Sequence, residues 1–154
     1  MPKVWMDKAE AEEFLKNSKV GRLGLCVNGK PYTVPMLFAY KAGKIFFHSV
    51  RRGKKITALQ ANPRVCFEVD EYEGIRPASE ACRFSLNYRS VIVSGEAKFI
   101  VNLEEKLAAL MLLMEKYGAG YSWTPPDEAE VHKIEVIEIR VDELVGKKNI
   151  PRRS

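Results

Sequence analysis

The stretch from Lys19 to Ser49 reads KVGRLGLCVNGKPYTVPMLFAYKAGKIFFHS, and it decides the fold. Val20, Leu23, Leu25 and Val27 carry strand texture into Asn28-Gly29, the dipeptide that readily takes the positive φ angles of a tight hairpin turn. A second strand is expected over about Lys30 to Tyr40, where Tyr32, Val34, Met36, Phe38 and Tyr40 share one face. Lys41-Ala42-Gly43-Lys44 then turns into a third strand, Ile45 to Ser49. The expectation is a meander of three antiparallel strands.

Outward from this stretch, Asp7 followed by Glu10 resembles a capping box for an amphipathic helix over about 7–17. Gly53 to Ala61 reads as a short helix stopped by Asn62-Pro63, and Arg64 to Val69 as a strand. Asp70 to Ser85 mixes charges with Gly74 and Pro77, which suggests a surface excursion before β texture resumes at Tyr88 to Val101. Asn102 with Glu105 opens a helix whose Leu103, Leu107, Leu110, Met111 and Met114 follow helical spacing until Gly118. A glycine-, aromatic- and proline-rich loop leads to a last strand, Lys133 to Val141. Its apolar phase slips between Val136 and Ile137, so a β-bulge is expected there. Strands outnumber helices and most links are too short for parallel crossovers, so the reading is a mainly β protein: a nearly closed antiparallel barrel with peripheral helices.

At 154 residues and 46% hydrophobic composition the chain is one globular domain, 1–154, with a basic tail over 146–154. Cys26, Cys66 and Cys82 form no CxxC pair, so neither a disulfide framework nor a zinc knuckle is indicated; three buried thiols are expected, and no metal site. No apolar run is long enough to cross a bilayer and the N-terminus lacks a signal peptide's apolar centre, so no membrane partner and a cytoplasmic location are expected.

The net charge of +5 is concentrated. Arg51, Arg52, Lys54 and Lys55 form one cluster and Lys147, Lys148, Arg152 and Arg153 another; without those eight, 17 basic residues face 20 acidic ones. Two local patches and no basic stripe argue against a nucleic-acid partner. GxSxG, Walker, GxGxxG and HExxH signatures are all missing, which removes most support for hydrolase and nucleoside-triphosphatase readings. What remains is the run Phe47-His48-Ser49-Val50-Arg51-Arg52-Gly53-Lys54-Lys55, where a strand end passes through basic residues and a glycine into a helix N-terminus. Free backbone N–H groups and the helix dipole favour a phosphate there, with Lys54, Lys55 and Arg51 as countercharge; a solvated basic turn is the alternative. Pro35, inside a strand, marks either a sheet edge or a slot where a flat ligand lies against the backbone of Val34, Pro35 and Met36. Gly95 marks a bend or a close backbone approach.

Pro31-Tyr32-Thr33-Val34-Pro35-Met36, Ile45-Phe46-Phe47-His48-Ser49, Gly53-Lys54-Lys55, Asn62-Pro63-Arg64-Val65-Cys66-Phe67 and Tyr88-Arg89-Ser90-Val91-Ile92-Val93-Ser94-Gly95 together resemble the flavin-binding split-barrel superfamily. The resemblance is to the nitroimidazole-reductase-like branch related to pyridoxamine 5′-phosphate oxidase. It implies a six-stranded antiparallel split barrel of Greek-key type and a homodimer binding two FMN molecules at the subunit interface. By the same resemblance, Val34, Pro35 and Met36 approach the flavin ring through backbone, and His48 and Ser49 meet it at a strand end. Lys54 and Lys55 hold the phosphate, Ser90 touches the flavin from a facing strand, and Trp123 covers the ring from the partner subunit.

The implied activity is an FMN-dependent oxidoreductase passing electrons from a reduced nicotinamide, the small-molecule donor, to a small acceptor such as a nitroaromatic, a quinone or free flavin. The basic substrate-phosphate residues and C-terminal arginine motif of true pyridoxamine phosphate oxidases have no counterpart, so vitamin B6 oxidation is not expected. His48 is the one catalytic candidate. A non-catalytic carrier or sensor of flavin or heme, with His48 or His132 as axial ligand, is the reading from a different class, and FAD or a deazaflavin are further alternatives to FMN.

Overall fold

The Asn28-Gly29 turn forms as the dipeptide dictates, with φ of 53° and 73° at its two central positions. It joins β2 (Gly21–Val27) to β3 (Lys30–Met36) in unbroken antiparallel register from Gly21↔Met36 to Val27↔Lys30. This computed structural model describes residues 4–150. Before β2 come a two-residue strand β1 (Val4–Trp5) and helix α1 (Lys8–Asn17), whose first turn is capped by the Asp7 carboxylate accepting from the Glu10 N–H at 2.8 Å.

The expected second strand is two strands. Pairing with β2 stops at Met36, Leu37 and Phe38 cross over, and β4 (Ala39–Lys41) pairs instead with β5 (Lys44–Val50). Helix α2 (Lys54–Ala61), β6 (Arg64–Arg76), β7 (Ser85–Phe99), α3 (Leu103–Tyr117), the short α4 (Glu128–His132) and β8 (Ile134–Asn149) complete the chain. The sheet runs β3-β2-β6-β7-β8-β5-β4, with β1 added on β8. Its two end strands, β3 and β4, are consecutive in the chain, so the barrel is closed by the Leu37-Phe38 link and by packing, not by a hydrogen-bonded ladder. That is a split barrel. The three-strand meander is therefore corrected: β3 and β5 lie on opposite sides of the split because the chain changes partner at Phe38.

Phe38 is fully buried and meets Phe67 edge-on at 4.9 Å between centroids. The barrel interior around them holds Leu23, Ile45, Phe47, Val69, Val91, Val93, Ile137 and Ile139. A second core lies outside the barrel wall, where Leu110 and Leu113 of α3 and Val131 of α4 pack on Val136. This explains the phase slip. Val136 and Ile137 are both fully buried because β8 is covered on both faces there, so no bulge is needed between them. The bulge lies further on, where Ser94 pairs with Glu143 and Gly95 with Val141, leaving Asp142 extra. Gly95 is the close approach its position suggested: a Cβ there would lie 2.2 Å from the Arg140 carbonyl oxygen.

Three further expectations are corrected. Residues 70–76 are strand, because β6 and β7 continue as a hairpin through a register shift between Tyr72 and Ile75; alternation there lacks a buried face and so is silent in the sequence. Lys147 and Lys148 are not tail but ladder, opposite Ser90 and Arg89, and Asn149 is buried; Arg152 and Arg153 lie outside the described residues. All three cysteines are exposed. Cys26 and Cys66 alternate out of phase with the buried residues of their strands, and Cys82 sits on a single helical turn at Ala81–Arg83. The sheet has eight strands by hydrogen bonding, six long or medium ones plus the short β1 and β4.

Candidate functional site

Helix α2 starts with its backbone donors unused. Its N-cap is Gly53, at φ 131°, which offers no side-chain acceptor, and no acidic residue stands in the first turn. The first closed contacts are Thr57 N–H and Thr57 Oγ1 donating to the Gly53 carbonyl, both at 3.1 Å. Among the described residues, nothing accepts from the N–H groups of Lys54, Lys55 and Ile56. A φ of 131° at residue 53 favours glycine, which leaves the first-turn donors without a side-chain acceptor.

The two lysines place this helix start relative to the split. Lys54 Nζ lies 4.2 Å over the ring of Tyr32 on β3, and Lys55 Nζ lies 5.8 Å from the ring of Phe47 on β5. The helix start thus reaches the edge strand β3 through Lys54 and the Phe47 ring of β5 through Lys55, while Ile56, Ala58 and Leu59 anchor it in the core. Burial lowers the affinity of the Lys55 amine for its proton. His48 faces out of the barrel and is exposed; the protein mass around its ring, and then the nearby Lys55 charge, hold its imidazole below the ordinary histidine range, which leaves it neutral at pH 7.

Beside this helix start runs β3, which pairs only with β2. Val34 and Met36 turn toward the core and Pro35 turns outward. The missing proline donor costs no ladder bond on an edge strand, and the free edge of residues 34–36 is available to a planar ligand. Ser49 points into the barrel at 7% exposure, so on the His48 face only its backbone is accessible. Arg51 is drawn elsewhere: its Nη1 donates to the His132 carbonyl at 3.1 Å and its Nε to Glu135 at 3.4 Å, which ties β5 to the start of β8. Ser90 lies on the outer face of β7, opposite Asp70 and Lys147, with β8 between it and β5. Trp123 packs over Gly118 at the end of α3. One chain therefore assembles Val34, Pro35, Met36, His48, Lys54 and Lys55 around the split, and leaves Ser90 and Trp123 on other surfaces. Tyr32 and Thr57 belong to the same cluster; in the sequence Tyr32 stands only as a core-facing aromatic, and Thr57 carries no signal.

This architecture has relatives. Residues 7–148 match the family model described as pyridoxamine 5′-phosphate oxidase. The chain belongs to that family. Among solved structures, a proposed 5-nitroimidazole antibiotic resistance protein of Bacteroides thetaiotaomicron is 28% identical, with a TM-score of 0.80 over 96% of this chain and 87% of that one. An FAD-binding protein of Mesorhizobium loti is 25% identical, with a TM-score of 0.72 over 97% of this chain and all of that one. An uncharacterized protein of Rhizobium meliloti, RA0666, is 26% identical over 92% of both chains. This member of the pyridoxamine 5′-phosphate oxidase family thus keeps the split-barrel fold over nearly its whole length.

Proposed function

We propose that this protein binds FMN at the split and acts as an oxidoreductase, passing electrons from a reduced nicotinamide to a small acceptor. The observation that carries the reading is the uncapped start of α2 with Lys54 and Lys55 reaching to Tyr32 and Phe47, beside the free edge of Val34, Pro35 and Met36. Unused N–H donors, a helix dipole and two ammonium groups suit a phosphate monoester, and an open strand edge suits the polar rim of a flat ring. Flavin supplies the redox chemistry when bound; the chain supplies position and charge. Neutral His48 stands where it can donate a hydrogen bond to a ring or orient an acceptor. Ser90 and Trp123, distant from α2 within one chain, fit contributions from a second copy, so the working unit of this reading is a homodimer with two sites. That a relative 25% identical is described as FAD-binding supports a flavin as the ligand.

The absorption spectrum of freshly purified protein, followed by mass spectrometry of the small molecule released on denaturation, tests the cofactor. Two flavin bands and the FMN mass are expected, together with oxidation of NADH or NADPH in the presence of a nitroaromatic or quinone. A Soret band or a deazaflavin mass overturns the FMN assignment, and bound FMN without any donor oxidation leaves a carrier.

A further inference from the structure

Two of the three exposed thiols share the outward face of β2 and β6. In the register of β2 with β6, Gly24 stands opposite Cys66, and Cys26 lies two residues beyond Gly24 on the same outward side. Cys26 and Cys66 are therefore diagonal neighbours on adjacent antiparallel strands. The Asn62 side chain donates to the Cys26 carbonyl at 2.8 Å, which secures the end of β2 against the start of β6. The other diagonal of this square is clear. Gly24 carries no side chain, and Arg64, at the start of β6, has its guanidinium 3.9 Å from the Glu96 carboxylate. Both thiols open into one hollow of about 490 Å3, shared with Tyr32, Asn62, Arg64 and Ser94.

We propose that Cys26 and Cys66 form a two-thiolate site for a soft d10 metal ion such as Cu(I). Diagonal strand neighbours lie roughly 7–8 Å apart at Cα, beyond the usual span of a disulfide without backbone movement. Two metal–sulfur bonds of about 2.3 Å in line bring the required sulfur separation to roughly 4.6 Å, which two cysteine side chains leaning across bare Gly24 can reach. Thiolate sulfur selects Cu(I) over hard cations, and two-coordinate geometry needs no third ligand; among the described residues no cluster of three or more histidine, cysteine or carboxylate groups stands anywhere. On binding, both S–H protons pass to solvent and two sulfur–metal bonds form, with no change of oxidation state.

The test uses the full, reduced protein with its cofactor content as purified and Cu(I) supplied in competition with a chromogenic chelator. Wild type and Cys82→Ser are expected to hold one Cu(I) per chain, which shields two of the three thiols from an aromatic disulfide reagent. Cys26→Ser and Cys66→Ser are each expected to weaken binding by about 100-fold or more, the loss of one of two covalent-strength ligands. Retention of wild-type affinity in either single variant, loss of binding in Cys82→Ser, or protection of one or three thiols in wild type overturns the site. If a serine variant fails to fold, Gly24→Val decides: it fills the notch and keeps both sulfurs, so unchanged two-thiol protection overturns the proposal and lost protection supports it.

Discussion

Lys55 and Lys116 are two half-buried amines with opposite consequences. Lys55 stands at an uncapped helix start where an anion can complete it. A charge-assisted bond to phosphate is worth roughly 1.5–3 kcal/mol, so Lys55→Ala should weaken FMN binding at least about tenfold in a titration of stripped protein. Arg51→Ala should change it far less, because that guanidinium is engaged with His132 and Glu135. Riboflavin, lacking the phosphate, should likewise bind at least about tenfold more weakly than FMN; equal binding by calorimetry would reduce the basic turn to a solvated surface. Lys116 has no such prospect. Its Nζ is shut off from solvent, lacks a hydrogen-bond partner and lies 3.8 Å over Phe38, and burial with the Lys19 charge lowers its pKa to about 8. The unfolded chain binds this proton up to about pH 10.5, so the penalty is full below pH 8 and fades between 8 and 10.5. Lys116→Met should therefore raise the melting temperature at pH 7 by roughly 2–4 °C, a gain of about 1 kcal/mol once solvent screening is discounted, and by less at pH 9.5.

At the scale of elements, the barrel depends on a corner that no strand pairing secures. The Tyr117 hydroxyl, at the end of α3, accepts from the Phe38 N–H at 3.1 Å and lies 2.8 Å and 2.9 Å from the carbonyls of Phe38 and Lys19. One hydroxyl thus pins the link between β3 and β4 to the residues that lead into β2. Tyr117→Phe leaves a buried N–H unpaired at about 1–3 kcal/mol, and hydrogen exchange should quicken at Phe38 before it quickens in β7. The β7–β8 bulge is held differently, by contact. Gly95→Ala would press a methyl to 2.2 Å from the Arg140 oxygen and 2.9 Å from Ile139 Cγ2, both in a paired strand that cannot yield cheaply. A loss of ~2–3 kcal/mol is expected, seen as a melting point roughly 5–10 °C lower; an unchanged melt would mean that β8 shifts freely at Asp142.

For the whole molecule, the outer face of the β6–β7 hairpin and its neighbours carries Tyr72, Ile75, Phe84, Leu86, Ile92 and Val145, all exposed. Ile92 and Val145 are direct partners across β7 and β8, and Ile75 pairs with Leu86, so the apolar residues form rungs and not scattered singles. A twofold partner covering this face would also bring Ser90, on the same face, to a second subunit's split. Light scattering at micromolar concentration should give about twice the chain mass. Ile92→Glu should shift the protein to monomer and lower flavin content together; a flavin-loaded monomer would sink the shared-site arrangement.

The parts legible in the sequence are those whose physics is local. Asp7 and Asn102 cap helices by bonding an N–H three residues on, at 2.8 Å and 3.0 Å, and Asn28-Gly29 sets a turn from two φ angles, so each needs no distant partner. The uncapped, lysine-flanked start of α2 is legible for the same reason, because Gly53 and the two lysines after it are contiguous. Where partners are distant, alternation misled. Tyr32 to Tyr40 keeps one apolar phase throughout, yet the chain leaves β2 for β5 at Phe38, since Phe67 and Tyr117 hold that residue. Residues 70–76 show no buried face because their ladder partner stands free of the core, and Val136 with Ile137 shows two because α3 covers the barrel wall. Whether Arg51 meets a ligand or Glu135, and whether Cys26 and Cys66 share a face, depend on strand register. Register between distant strands is fixed only when the whole sheet assembles, because the β2–β6 and β5–β8 ladders join residues tens of positions apart.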